Sequence, residues 1–91
     1  MIIIGIDPGT TQSGYCIYDG VCVLESGVLS NDDMLARVKT STLPRLAIEM
    51  IASYGMPVGR EVFETCLWIG RFKQAWHTPD STELIYRKDV K

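Results

Sequence analysis

The apolar positions of this chain fall into five strand-like runs and one long helical stripe. Ile2, Ile3, Ile4 and Ile6 are β-branched and almost uninterrupted, which predicts a central strand buried on both faces rather than one alternating with solvent. Asp7 ends that run, and Pro8-Gly9 forces a turn. Gly14 to Tyr18 and Val21 to Leu29 read as two further strands, with Asp19-Gly20 between them as a two-residue hairpin signal. The first three strands therefore predict an antiparallel meander. Ser30-Asn31-Asp32-Asp33 supplies cap candidates and acids for a helix start, followed by Met34, Leu35 and Val38 at helical spacing. Leu46 to Ile51 is short enough for a buried strand, interrupted by Glu49.

From Val58 to Trp76 the period changes. Val58, Val62, Thr65, Ile69, Phe72 and Trp76 share one stripe, with Arg60, Glu61, Glu64, Trp68 and Arg71 on the polar side. Such a helix should cross the sheet face. Gly59 and Gly70 lie on nearly one side of it, beside Phe63 and Cys66, where another backbone could approach closely. Packing against the sheet is the competing use of that side. After His77-Thr78-Pro79-Asp80, Thr82 to Arg87 reads as a fifth strand. Crossovers between parallel strands are right-handed, so the fourth and fifth strands are expected parallel to the first. The predicted fold is α/β: a mixed five-stranded sheet, three antiparallel strands and then two parallel ones, with a long crossover helix and one sheet face poorly covered.

The 91 residues suit one domain with a modest core, and 46% hydrophobic against 22% charged residues is an ordinary globular balance. The net charge of −2 shows no basic surplus, although a local cluster of Lys and Arg can hide in a neutral total. Cys16, Cys22 and Cys66 are odd in number, lack CxxC spacing and have only His77 as a possible co-ligand. They predict buried free thiols rather than a disulfide or zinc site, and with them a reducing, cytoplasmic setting. Neither a signal sequence nor a membrane span is evident.

Asp7 and Glu49 break two otherwise apolar strands. Period-2 alternation puts Ile3, Gly5 and Asp7 on one face of the first, and Ala47, Glu49 and Ile51 on one face of the second. Each acid has a small residue two positions before it, which leaves room for water, a metal ion or a substrate if the strands are neighbours. Buried carboxylates need a cation, hydrogen bonds or a proton, and both strands lack Lys and Arg near these acids. Carboxylate oxygens on rigid strands describe a Mg²⁺ or Mn²⁺ site suited to phosphodiester hydrolysis. The plainer alternative has Asp7 capping the following turn and Glu49 reaching the exposed strand end. Thr10, Thr11, Gln12 and Ser13 could donate to phosphate or simply form the turn.

IGIDPGTTQSGYCIYD, followed by LAIEMIASYGMPVGREVFETCLWIGRF, resembles the RuvC-type Holliday junction resolvases of the ribonuclease H-like superfamily, particularly their small bacteriophage-type members. The resemblance implies that Asp7 and Glu49 are catalytic residues binding Mg²⁺ or Mn²⁺. It also implies a homodimer acting on branched DNA, such as a four-way junction, by metal-activated water. The family's remaining acids lie on a helix after the fifth strand, and Asp89 does not match them. Residues 1–91 are thus expected to form a single partial domain without the closing C-terminal helix, with impaired activity. Two other readings stand beside it. Asp followed by Gly-Thr-Thr also resembles the phosphate loop of actin-like ATPases and sugar kinases, and the same fold could serve as a non-catalytic DNA-binding or assembly module.

Overall fold

The computed structural model describes residues 1–51 and 59–86. Its elements run β1 (Ile3–Asp7), β2 (Gln12–Tyr18), β3 (Val23–Ser30), α1 (Asn31–Thr40), β4 (Arg45–Met50), α2 (Arg60–Ala75), a 3-10 turn (Pro79–Ser81) and β5 (Glu83–Tyr86). The strands form one five-stranded sheet in the order β3-β2-β1-β4-β5. β1, β2 and β3 are an antiparallel meander, whereas β4 pairs parallel with β1 and β5 parallel with β4. The mixed sheet expected from the sequence is the one observed.

Both helices pack on one face of the sheet, as expected where two right-handed crossovers step in the same direction. The core forms between them and the sheet. Ile4, Ile6, Ile17, Leu46 and Ile48 come from the strands, Met34 and Val38 from α1, and Ile69, Phe72 and Trp76 from α2. Ser30 caps α1, its hydroxyl accepting from the Asp33 N–H at 3.2 Å. Thr65, read with the apolar stripe, is buried because its hydroxyl donates to the Glu61 carbonyl at 2.9 Å within α2.

Several expectations need correction. Among the described residues β1 is covered on one face only: Ile4 and Ile6 are buried while Ile3 is half-buried. The hairpin after β2 is a four-residue loop, Asp19 to Cys22. The Asp19 carboxylate accepts from the Val21 and Cys22 N–H groups, both at 2.8 Å, and holds the loop open beyond a two-residue turn. Those bonds also pull the Asp19 carboxyl below its ordinary range. Gly20 takes the one left-handed conformation among the described glycines, φ 98°. The cysteines are free, as expected, yet Cys22 is exposed and Cys16 and Cys66 only half-buried, because Cys22 sits in that loop and the other two on less covered faces. Trp68 packs partly into the core against Phe72, with ring centroids 5.8 Å apart, rather than lying wholly on the polar side. Among the described residues no atom lies within 4 Å of a Cβ placed on Gly59 or Gly70, so neither the sheet nor another backbone of the chain packs against that side there. Val58, Arg87 and Asp89 lie outside the described residues.

Candidate functional site

The pairing of β1 with β4 places the two acids. Gly5 lies beside Ala47 and Ile6 beside Ile48, so the register runs on toward Asp7 and Glu49. Side chains alternate between faces. Ile4 and Ile6 point to the helices with Leu46 and Ile48, which sends Gly5, Asp7, Ala47 and Glu49 to the opposite, open face. There Asp7 is exposed and Glu49 half-buried.

Both line one concavity of about 770 Å³ on that face, together with Gly5, Gly14, Ala47 and Ile85. Three small residues make its floor. Gly14 is the addition to the sequence reading: it pairs with Asp7 across β1 and β2, and a Cβ there would stand 3.8 Å from the Asp7 Cβ. Extending the alternation from Cys16 to Gly14 along β2 carries that signal in the sequence. Ile85 pairs with Glu49 across β4 and β5 and walls the far side.

The turn after Asp7 is fixed from below. Asn31, the first residue of α1, is buried, and its amide donates to the Gly9 carbonyl at 2.9 Å. The buried Ser13 hydroxyl donates to the Asn31 Oδ1 at 2.5 Å and accepts from the Gly9 N–H at 3.3 Å. The Asn31 N–H itself donates to the Thr11 carbonyl at 2.9 Å. Ser13 is therefore committed to the protein, and of the four turn residues weighed as phosphate donors only Thr10, Thr11 and Gln12 stay accessible. Gly9 has no substitute, because a Cβ would meet the Gln12 carbonyl oxygen at 2.3 Å.

Among the described residues neither Asp7 nor Glu49 pairs with a basic side chain. Arg37 is engaged by Glu25, Arg45 by Glu83 and Arg60 by Glu64. Nor does any group of three or more acid, histidine or cysteine side chains suited to a metal gather there among the described residues. A donor set of two carboxylates on an open face, with space for water above glycine and alanine, fits a hard divalent ion rather than a thiophilic one.

The other titratable cluster lies away from this face. Glu25 on β3 accepts from the Arg37 guanidinium at 2.5 and 2.8 Å and from the Tyr15 hydroxyl at 2.5 Å. Arg37 and then Tyr15 hold the Glu25 carboxyl down to about 2, while Glu25 raises the Tyr15 hydroxyl. Arg37 also stacks 4.9 Å from the centre of the Tyr15 ring. This cluster braces β2 and β3 against α1. His77 is exposed, its Nε2 2.8 Å from the Leu43 carbonyl, far in the chain from the two acids.

The fold has solved counterparts. The structure is similar to Thermus thermophilus RuvC in complex with a Holliday junction substrate, with a TM-score of 0.70 at 14% sequence identity, covering 97% of this chain and 66% of that one. The fold is RuvC-like. A second Thermus thermophilus RuvC structure matches with a TM-score of 0.64 at 16% identity, covering 94% of this chain and 64% of that chain. The chain thus spans slightly less than two thirds of the length of either RuvC chain. No protein-family model and no curated protein matches its sequence. Among the described residues no helix is long and apolar enough to cross a membrane.

Proposed function

We propose that this chain carries the strand-borne part of a divalent-metal-dependent nuclease site acting on branched DNA. The observation that carries the reading is the projection of Asp7 and Glu49 from neighbouring parallel strands into one concavity with a small-residue floor and no basic partner among the described residues. On a RuvC-like sheet, Asp7 and Glu49 would hold Mg²⁺ or Mn²⁺. The bound ion would supply neutralisation of a phosphate and a lower pKa for water. Gly5, Gly14 and Ala47 keep the space beside the acids open, and the Ser13–Asn31 pair holds the turn that orients Asp7. The substrate is branched DNA, typified by a four-way junction, and the working form is a homodimer like those of the small bacteriophage-type resolvases. With two acids gathered and no third among the described residues, activity is expected to be slow.

A labelled four-way junction incubated with the chain in Mg²⁺ or Mn²⁺ tests this, beside the Asp7→Asn, Glu49→Gln double variant. Metal-dependent cleavage by the wild type that disappears in the variant supports the proposal; equal cleavage by both removes it. One other reading, set against two acids gathered among the described residues, is a junction-binding module without chemistry. That module would bind the junction with undiminished affinity in EDTA and after Asp7→Asn.

A further inference from the structure

We infer that the outer edge of β3 is a docking edge for an extended segment of a partner protein, apolar in its middle and basic at its ends, which adds a sixth strand to the sheet. The inference goes beyond the nuclease reading and does not depend on the two acids.

β3 and β5 are the edges of the sheet. An edge strand presents a row of unpaired N–H and C=O groups, and proteins guard such a row with Lys, Pro, brevity or irregularity. β5 is four residues long, and its Glu83 is held by Arg45. β3 runs for eight residues with neither Lys nor Pro, and its one charged side chain, Glu25, is taken up by Arg37 and Tyr15. The ladder to β2 is irregular between Ile17 and Tyr18, opposite the start of β3, and keeps a steady register from Glu25 to Ser30. That stretch is open to a new strand.

Its backbone polarity follows from one bond. The Asn31 N–H donates to the Thr11 carbonyl, in the same register as the Leu29–Ser13 and Gly27–Tyr15 pairs. Hydrogen-bonded pairs recur at every second residue of an antiparallel ladder. Leu29, Gly27 and Glu25 therefore turn their backbone groups to β2, and Ser26 and Val28 turn theirs outward. Val21, Val23, Leu24 and Val28, along the strand and the loop that feeds it, are each more than half exposed. Val28 pairs with Gly14 and stands on the face that carries the acids. Cross-strand apolar pairs stabilise a sheet, so this edge suits a segment with an apolar middle.

The ends of the strand decide what kind of partner fits. Asp19 stands in the loop before β3, and Asp32 and Asp33 are exposed in the first turn of α1 directly after it. Among the described residues none of the three pairs with Lys or Arg. Asp32 and Asp33 suit a helix start, and with Asp19 they also set negative charge at both ends of the edge. A second copy adding its own β3 about a two-fold axis would run antiparallel, which brings Asp19 of one copy toward Asp32 and Asp33 of the other. Acid would then face acid at both ends. A segment with Lys or Arg at each end meets opposite charge instead.

Titration of the ¹⁵N-labelled full chain with a peptide of alternating valine and threonine, flanked by lysines at both ends, tests the inference. Saturable binding is expected, with amide shifts and slowed hydrogen exchange centred on Ser26 and Val28. Methylating the backbone nitrogens of the peptide's middle, or replacing its lysines with glutamates, should each weaken binding at least about tenfold. Val28→Lys should do the same with unchanged far-ultraviolet circular dichroism, as should Ser26→Pro, which removes an outward donor and spares the ladder to β2. The methylated peptide requires no change in the protein, so its loss of binding cannot come from damage to the fold. No saturation, shifts centred away from β3, or equal binding by the methylated or acidic-ended peptide would each overturn the inference. Protection of Ser26 and Val28 that rises with protein concentration in the absence of peptide would assign the edge to a second copy and overturn it as well. Peptide binding that survives while cleavage is absent would count against the nuclease reading alone.

Discussion

Ser13 and Asn31, eighteen residues apart in the chain, share a buried 2.5 Å hydrogen bond that fastens the turn after Asp7 to the first residue of α1. A helix packed on one face of the sheet thereby positions a carboxylate that serves the other. Removing one partner leaves a buried polar group unsatisfied, which costs about 1–3 kcal/mol. Asn31→Ala should destabilise by that amount in urea unfolding. Ser13→Ala should cost less when added to Asn31→Ala than alone, because the two act as a unit. Strict additivity would show that the pair does not hold the turn.

The turn itself has no room for a side chain at Gly9. With a Cβ 2.3 Å from the Gln12 carbonyl oxygen, Gly9→Ala must shift backbone, at a cost of about 1–3 kcal/mol. Thermal unfolding should record the loss, and amide chemical shifts should move from Asp7 to Ser13. A neutral Gly9→Ala would mean that the turn differs from the one described.

Gly5 tests the site without testing the fold. Its Cβ position has only ordinary contact with the Cys16 carbonyl, at 3.9 Å, and strand positions favour β-branched residues. Gly5→Val should keep or raise the melting temperature while filling the space between the acids. Mn²⁺ affinity should drop roughly tenfold or more, in keeping with the cost of disturbing the surroundings of a metal site. Unchanged affinity would mean that this space does not serve the acids.

The Glu25 brace predicts an acid-dependent loss. Its carboxyl is held at about 2 in the folded chain, below the ordinary 4.5, by Arg37 and Tyr15. A depressed folded pKa contributes stability above the unfolded value, and that contribution fades as pH falls from about 4.5 toward 2. Wild type should therefore lose more melting temperature than Glu25→Gln over that window. The difference should shrink in high salt, since the cluster is solvent-facing. Parallel curves for the two proteins would contradict it.

Much of this was legible in the sequence because alternation is a local property. The parity of Ile4 and Ile6 against Gly5 and Asp7, and of Leu46 and Ile48 against Ala47 and Glu49, was enough to put each acid on the small-residue face of its strand; that the two strands are neighbours stood as a condition, which the parallel pairing of β1 with β4 meets. What failed were features set by side chains reaching across the fold. Asn31 reads as one of several cap candidates, and only folding brings it under Gly9 while Ser30 takes the cap. The Asp19 bonds that lengthen the hairpin and expose Cys22 override the two-residue turn that Asp-Gly favours. Burial of β1 on both faces followed from its isoleucines, yet among the described residues both helices lie on one side, and isoleucine at position 3 is only half-covered.

The central claim is that Asp7 and Glu49 share one cation. Titration of ¹⁵N-labelled protein with Mn²⁺ measures it directly, because paramagnetic broadening reports distance from the ion. Selective broadening of amides at the ends of β1 and β4, lost on Asp7→Asn or Glu49→Gln alone, is the predicted result. Broadening centred elsewhere, or unchanged by either substitution, would contradict the account.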